Sequence, residues 1–283
     1  MQKKLTGSTD PILEANIQFH TALARQYDGS QPYFSDPINT ERVSGILAEL
    51  AAQAGNEALL DIGCGTGFIC ALAQRIFKQV VGLDATPAML SLVKPSPNIH
   101  LILGDARHVP YPDGSFNACT ANGVLHHMED LQPVAREICR ILKPGGMFYS
   151  DEDPNHDYFD FFDTLDTGNP ELSELMRKEH DNLTNKAREM KEQFNVDEEI
   201  TQLAEYQKMV KGGMSTLAMR QIFLAAGFSE VQIEYRWYLG QASVRKQMGR
   251  EGEKTINDYL QAALPLSSRL FKYFKLVATK ATS

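Results

Sequence analysis

Between residues 57 and 150 the chain alternates short, wholly apolar segments with segments of helical periodicity. Few folds accommodate that order. Ala58–Ile62, Gln79–Leu83, Ile99–Leu103, Phe116–Ala121 and Met147–Ser150 read as strands. Phe68–Phe77, Pro87–Val93 and Leu131–Leu142 read as helices, the last stopped by Pro144-Gly145-Gly146. A strand without polar alternation must be covered on both faces, and helices between strands supply that cover, which implies a parallel sheet. After a break near residue 155 the pattern resumes with a helix, Thr216–Ala226, then strands Val231–Trp237 and Phe271–Ala278.

What interrupts the pattern is helical. Residues 12–28 and 39–54 read as two helices joined by a loop containing Pro32, Ser35, Asp36 and Pro37, with Asn39 and Thr40 as caps of the second and Gly55 as its stop. Residues 170–211 are polar, carry Leu172, Leu175 and Met176 at helical spacing, and are too many for a loop in a compact domain. A further insertion spans 241–263. The expectation is one α/β domain over 1–283, with a core of about 56–154, 215–238 and 270–283. A helical lid would come from about 10–55, 155–214 and 240–268.

The stretch Leu59-Leu60-Asp61-Ile62-Gly63-Cys64-Gly65-Thr66-Gly67-Phe68 runs a strand into a glycine turn and straight into a helix. Glycines permit positive φ and let a ligand approach the backbone, and in an open parallel sheet this turn lies where ligands bind. A dinucleotide site uses G-x-G-x-x-G, but here Phe68 stands where the third glycine is required. Asp61 would repel a pyrophosphate yet suits a ligand with an ammonium group. Asp84 ends the second strand about 20 residues on, placed for two ribose hydroxyls, and Asp105 ends the third, placed for an exocyclic amine. The set suits an adenosine with a cationic amino-acid tail.

These residues resemble those of the class I S-adenosylmethionine-dependent methyltransferases, the small-molecule group in particular. The resemblance rests on the Asp61–Gly67 loop, Asp84 followed by Ala85-Thr86-Pro87-Ala88-Met89-Leu90, and Gly104-Asp105-Ala106. It continues through Pro110–Asn117, Val124-Leu125-His126-His127-Met128 and Leu142-Lys143-Pro144-Gly145-Gly146, about 90 residues in all. It implies a Rossmann-like, seven-stranded, mostly parallel sheet with helices on both faces and an inserted helical lid. It also implies that Asp61, Gly63, Gly65 and Gly67 hold the methionine part, that Asp84 and the adjoining Ala85 hold the ribose side, and that Met89 packs near adenine. Asp105 would bind the adenine amine, the Ala106 backbone its ring nitrogen, and Asn122 would sit beside the methionine tail. Tyr27, with Asp28, resembles a Tyr-Asp pair that closes over the cofactor.

Bulk properties narrow the partners. The net charge is −8 with a 43% hydrophobic fraction, so the chain is globular and its charge opposes nucleic acid. Cys64, Cys70, Cys119 and Cys139 lie in apolar runs without a CxxC pair, as buried reduced thiols do. No apolar run reaches the ~18 residues of a membrane span and the first residues carry no signal-peptide core, so the expected location is cytoplasmic. The expected partners are a small-molecule substrate, with no nucleic acid and no membrane, and a monomeric or homodimeric state.

Methyl transfer from a sulfonium needs alignment, a dry site and, for a hydroxyl or carbon acid, a general base. His126, with His127, follows the fourth strand at the rim and is the candidate base. Asp151, Glu152 and Asp153 end the fifth strand, and an acidic residue there, Glu152, would orient a base or substrate. No metal is expected from these carboxylates and His156, because consecutive strand residues alternate direction. Tyr158, Phe159, Phe161 and Phe162 form either an apolar pocket or a lid seam. The leading reading is a methyltransferase acting at O, N or C of a small, partly apolar metabolite. The alternatives are a cyclising or decarboxylating enzyme with the same cofactor, or a non-catalytic binding module.

Overall fold

The computed structural model describes residues 10–30 and 36–282. Its centre is a seven-stranded sheet of order β3-β2-β1-β4-β5-β7-β6. The strands are β1 (Ala58–Ile62), β2 (Gln79–Asp84), β3 (Ile99–Leu103), β4 (Phe116–Asn122), β5 (Leu142–Pro154), β6 (Phe228–Tyr238) and β7 (Phe271–Lys280). The first five pair in parallel, while β7 runs antiparallel between β5 and β6. The α-helices of more than four residues are α1 (Pro11–Leu23), α2 (Pro37–Ala54), α3 (Phe68–Ala73), α4 (Leu131–Ile141), α5 (His156–Asp163), α6 (Glu174–Thr184), α7 (Lys186–Phe194), α8 (Glu198–Ala204), α9 (Thr216–Ala225) and α10 (Gln241–Ala262), and single helical turns form at Tyr27–Ser30 and Pro87–Leu90. The α/β class, the strand count and the mostly parallel sheet are as the resemblance implied.

The uniform apolarity of the strands has the expected cause. Leu59, Val80, Ala118 and Tyr149 pack with Val43, Leu47 and Leu50 of α2 and Ile69 and Ala73 of α3. Their neighbours Leu60, Val81, Cys119 and Phe148 face the other way, against Val134, Ile138 and Ile141 of α4 and Met219 and Phe223 of α9. Successive strand side chains thus enter two different helical layers. All four cysteines are free and buried in these layers.

Several boundaries differ from the sequence reading. α2 is capped by Asp36, whose carboxylate accepts from the Ile38 amide at 2.9 Å, and not by Asn39 or Thr40. Asn39 is instead buried within the helix. Pro37 at the first helical position explains the earlier start, because its fixed φ and missing N–H suit that site. The expected loop through Pro32 and Ser35 falls on 31–35, outside the described residues. β5 is longer than Met147–Ser150 at both ends: the helix before it stops at Ile141, as expected, and the strand then runs from Leu142 through Pro144-Gly145-Gly146 to Pro154. Tyr158, Phe159 and Phe162 are buried with Leu165, Met176, Leu183 and Leu239, a seam between helices rather than a pocket wall. Among the described residues no helix is long and apolar enough to cross a membrane.

Helices from the insertion meet the N-terminal segment. Phe19 and Leu23 of α1 pack with Met190 of α7, Val196, and Ala204 of α8. α10 lies against β6 and its residues line neither of the cavities described below.

β5 carries a bulge: Ser150 pairs with Leu276 and Asp153 with Phe274, so two residues of β5 oppose one of β7. The bulge turns Asp151 toward α2, where its fully buried carboxylate meets Arg42 and accepts from the Tyr149 hydroxyl at 2.8 Å. Arg42→Met strands that carboxylate away from water. Removing one partner of a buried pair costs about 3 kcal/mol or more. A lower urea midpoint at unchanged m-value is the expected outcome; an unchanged midpoint would show that the pair contributes nothing.

Candidate active site

Two cavities lie at the carboxyl ends of the strands. The first, a cleft of about 910 Å³ open to solvent, is lined by the β1 turn, the ends of β2 and β3, the segment after β4, and α1. Gly63 and Gly65 stand in its wall at φ +61 and +53. The direction in which Gly65 would carry a Cβ is open space, so the bare backbone faces the cleft. Asp84 is held by two amides, those of Gly65 and Thr86, each at 2.8 Å. That fixes the turn against the end of β2.

Of the expected cofactor residues, Tyr27, Gly63, Gly65, Asp84, Ala85, Met89, Asp105, Ala106 and Asn122 line this cleft. Asp61 and Gly67 stand behind the wall. The Asp61 carboxylate is buried, accepts from the Thr120 hydroxyl at 2.8 Å and faces Cys70 Sγ at 3.6 Å. Burial, with a smaller contribution from Asp84, pushes its pKa up to about 7. Gly67 begins α3 at φ +89, with Val93 where its Cβ would be. The Asp28 side chain lies outside the described residues.

Sequence reasoning missed the far wall. Asp10, Asn16 and His20 of the N-terminal segment line the cleft, as does Arg107. Arg107 donates to Asp105 and, at 2.6 Å, to Asp10, tying the start of α1 to the end of β3. Asp10 also caps α1 by accepting from the Ile12 and Leu13 amides. The Asp10-Pro11 pair, a cap followed by proline at the first helical position, was the available signal.

The second cavity, about 1180 Å³, shares His20, Tyr27, Asn122, Gly123 and His127 with the first. One side is apolar, with Phe19, Leu23, Met190 and Phe194. The other carries Glu152, His126, Glu205, Lys186 and Lys208. Both catalytic candidates therefore face one chamber. His126 Nδ1 lies 3.1 Å from Asp153 Oδ1, and that oxygen also accepts the His126 amide at 3.2 Å. Burial lowers the His126 pKa to about 4 and pushes that of Asp153 well above its ordinary value. Glu152 sits in the bulge at φ +64, a conformation that a non-glycine residue holds only under constraint. It accepts from Trp237 Nε1 at 2.8 Å, and Trp237 is itself at φ +58. Burial, with Asp151 beside it, pushes the Glu152 pKa up to about 8. His156, weighed with these carboxylates in the sequence, turns away to the Gly212 carbonyl at 2.9 Å.

Comparison with known proteins agrees with this geometry. Residues 60–150 match the family model described as a methyltransferase domain. The chain is 31% identical over 126 residues to an uncharacterized methyltransferase of Bacillus subtilis, covering 41% of this chain and 50% of that one. It is 32% identical over 133 residues to a demethylmenaquinone methyltransferase of Lysinibacillus sphaericus, covering 44% and 56%. The chain thus spans about half the length of the curated relatives it matches. Among solved structures, an S-adenosylmethionine-dependent methyltransferase from Mesorhizobium loti shares the fold. Its TM-score is 0.53 at 17% identity, covering 83% of this chain and 96% of that one.

Trp237 is the sole tryptophan, so its fluorescence reports on Glu152 directly. A pH titration of the intact protein is expected to show an emission change with its midpoint near 8, absent in Glu152→Gln. A midpoint near the ordinary glutamate value would refute the burial effect.

Proposed function

We propose, from the match of residues 60–150 to the methyltransferase-domain family model, that this chain moves a methyl group from S-adenosylmethionine to an O, N or C atom of a small, partly apolar metabolite. The observation that carries the reading is the shared wall: a glycine- and aspartate-lined cleft opens onto a half-apolar chamber through Asn122, Gly123 and His127.

The chemistry of the cleft fits this cofactor. Asp84 and Asp105 supply acceptors for hydroxyl and amine donors, and Gly65 leaves its backbone bare where a Cβ would intrude. Asp84 and Ala85 take the ribose side, Asp105 and Ala106 the adenine edge, and Met89 the base. Gly63, Gly65 and Asn122 take the amino-acid tail, supported from behind by Asp61 and Gly67. Tyr27, common to both cavities, closes over the ligand. When bound, the cofactor supplies an electrophilic methyl on a sulfonium.

The chain's own part is to orient the acceptor, exclude water and take up a proton. Glu152 is the proton acceptor in its ionised form, which becomes populated as the pH rises toward 8, and in that form it is a far stronger base than an imidazole lowered to about 4. His126, on the same polar side of the chamber, touches the acceptor and positions it. The apolar side from α1 and α7 receives the acceptor's hydrocarbon part. The proposal keeps the expectations of a cytoplasmic location, a monomeric or homodimeric state and, from the net charge of −8, no nucleic-acid partner.

Calorimetry tests the cofactor. S-adenosylmethionine is expected to bind at micromolar concentration, Asp84→Ala to weaken it at least about tenfold by removing a charge-assisted hydrogen bond, and NADH to remain inert. Absence of S-adenosylmethionine binding to the wild-type chain would overturn the proposal.

A further inference from the structure

The wall of the second chamber holds three groups that methyl transfer does not by itself require together. His126 and His127 occupy one helical turn, Leu125–His127, after β4. Glu205 lies some 80 residues away in sequence, where α8 passes into a π-helical turn, Tyr206–Val210. One ligand atom from each, two imidazole nitrogens and a carboxylate oxygen, fall within 4.8 Å of one another.

The imidazoles are oriented as metal ligands are. His127 Nδ1 lies 2.6 Å from the Ala204 carbonyl, which can only accept, so Nδ1 carries the proton and Nε2 keeps its lone pair. His126 is anchored in the same sense by Asp153. A carboxylate and a backbone carbonyl are the usual outer partners of ligating histidines. With Nδ1 thus committed, the His126 Nε2 lone pair faces the Glu205 carboxylate at 3.8 Å. That is too long for a hydrogen bond, and two acceptors opposed across a buried gap repel unless a cation lies between them.

We propose that His126, His127 and Glu205 bind one divalent first-row transition cation through the two Nε2 atoms and a carboxylate oxygen, with its remaining positions open to the chamber. Imidazole and carboxylate suit zinc, cobalt, nickel or iron. Two ligand bonds of about 2.1 Å span at most about 4.2 Å, so the widest pair closes by roughly half an ångström on binding. Lys208 donates to Glu205 Oε2 at 3.0 Å. Ligating carboxylates are commonly hydrogen-bonded in this way, and the ammonium charge tempers the affinity without blocking a second lone pair. The sequence points to no metal in this chain, on Asp151–Asp153, His156 and the cysteines without Glu205, and the proposal departs from that expectation.

A consequence rests on the methyl-transfer reading. The open positions adjoin Asn122 and Gly123, which both cavities share, so the substrate would be a small molecule with an oxygen or sulfur donor able to ligate the ion. His126 then positions the acceptor through the cation, and Glu152 keeps the proton-accepting part.

The test uses the untagged, chelator-treated full chain titrated with Co²⁺ and followed by visible absorption. One equivalent of Co²⁺ is expected to produce ligand-field bands, which Zn²⁺ abolishes by displacement. His126→Gln and Glu205→Gln are expected to lose the bands while still binding S-adenosylmethionine, which shows that they remain folded. No bands in the wild-type chain at millimolar Co²⁺, or bands unchanged in both variants, would overturn the proposal. A wild-type chain that binds Co²⁺ at these residues but not S-adenosylmethionine would sustain the metal site and refute the cofactor reading instead.

Discussion

At the carboxyl end of β1 the backbone of Gly63 lies so close to Val124 that a Cβ would stand 2.6 Å from both of its methyl groups. That approach joins the turn after β1 to the segment after β4, and only glycine permits it. The strand order explains why the two meet. β1 has β2 on one side and β4 on the other, so the chain leaves it toward one edge and returns beyond it, and the crevice at such a switch is where open α/β sheets bind ligands. Once Gly63 and Val124 touch, the turn bearing His126 and His127 is carried to the edge of the cleft. The second chamber follows from that placement.

The bulge in β5 does the complementary work. A regular strand would send Asp151 and Asp153 to one face and Glu152 to the other. With one extra residue each carboxylate finds its own partner: Arg42 and Tyr149 for Asp151, Trp237 for Glu152, and His126 for Asp153. Three adjacent charged carboxylates could not be buried together without large desolvation and repulsion costs. The strand resolves this by pairing the first and raising the pKa values of the other two. Positive φ at both Glu152 and Trp237 is local strain, held by the β5–β7–β6 pairing around them.

The core was legible because its physics is local. Burial on both faces leaves an unbroken apolar run, as at Leu59-Leu60, and the glycine turn with Asp84 and Asp105 at fixed strand ends marks one side of the cleft. What escaped depends on residues far apart in sequence. Arg107 bridging Asp105 to Asp10 joins β3 to the start of α1, across 97 positions. Glu205 sits in a polar stretch whose acids look alike, and nothing in its neighbours distinguishes it from Glu198 or Glu199. The aromatic run at Tyr158 carried no sign of which face it would show, since a seam and a pocket use the same residues. Asp61 was legible as a site residue but not as a buried one, because its partner Thr120 belongs to a strand 59 positions away.

The polar insertion is held by directional bonds as well as by the apolar contacts of Met190, Val196 and Ala204. α6 contributes no buried residue, and α7 only Ala187 and Met190. Beside those contacts, His127 binds the Ala204 carbonyl, and Gln207 donates to the carbonyls of Met128 and Glu129 at 2.7 and 2.9 Å. Asn16 of α1 donates to the His127 carbonyl at 3.0 Å from the other side. The short turn after β4 is therefore gripped by the N-terminal helix and the insertion together. Hydrogen bonds specify geometry sharply while adding only about 1 kcal/mol each to stability. An enclosure built this way can define its chamber closely and still part at modest cost.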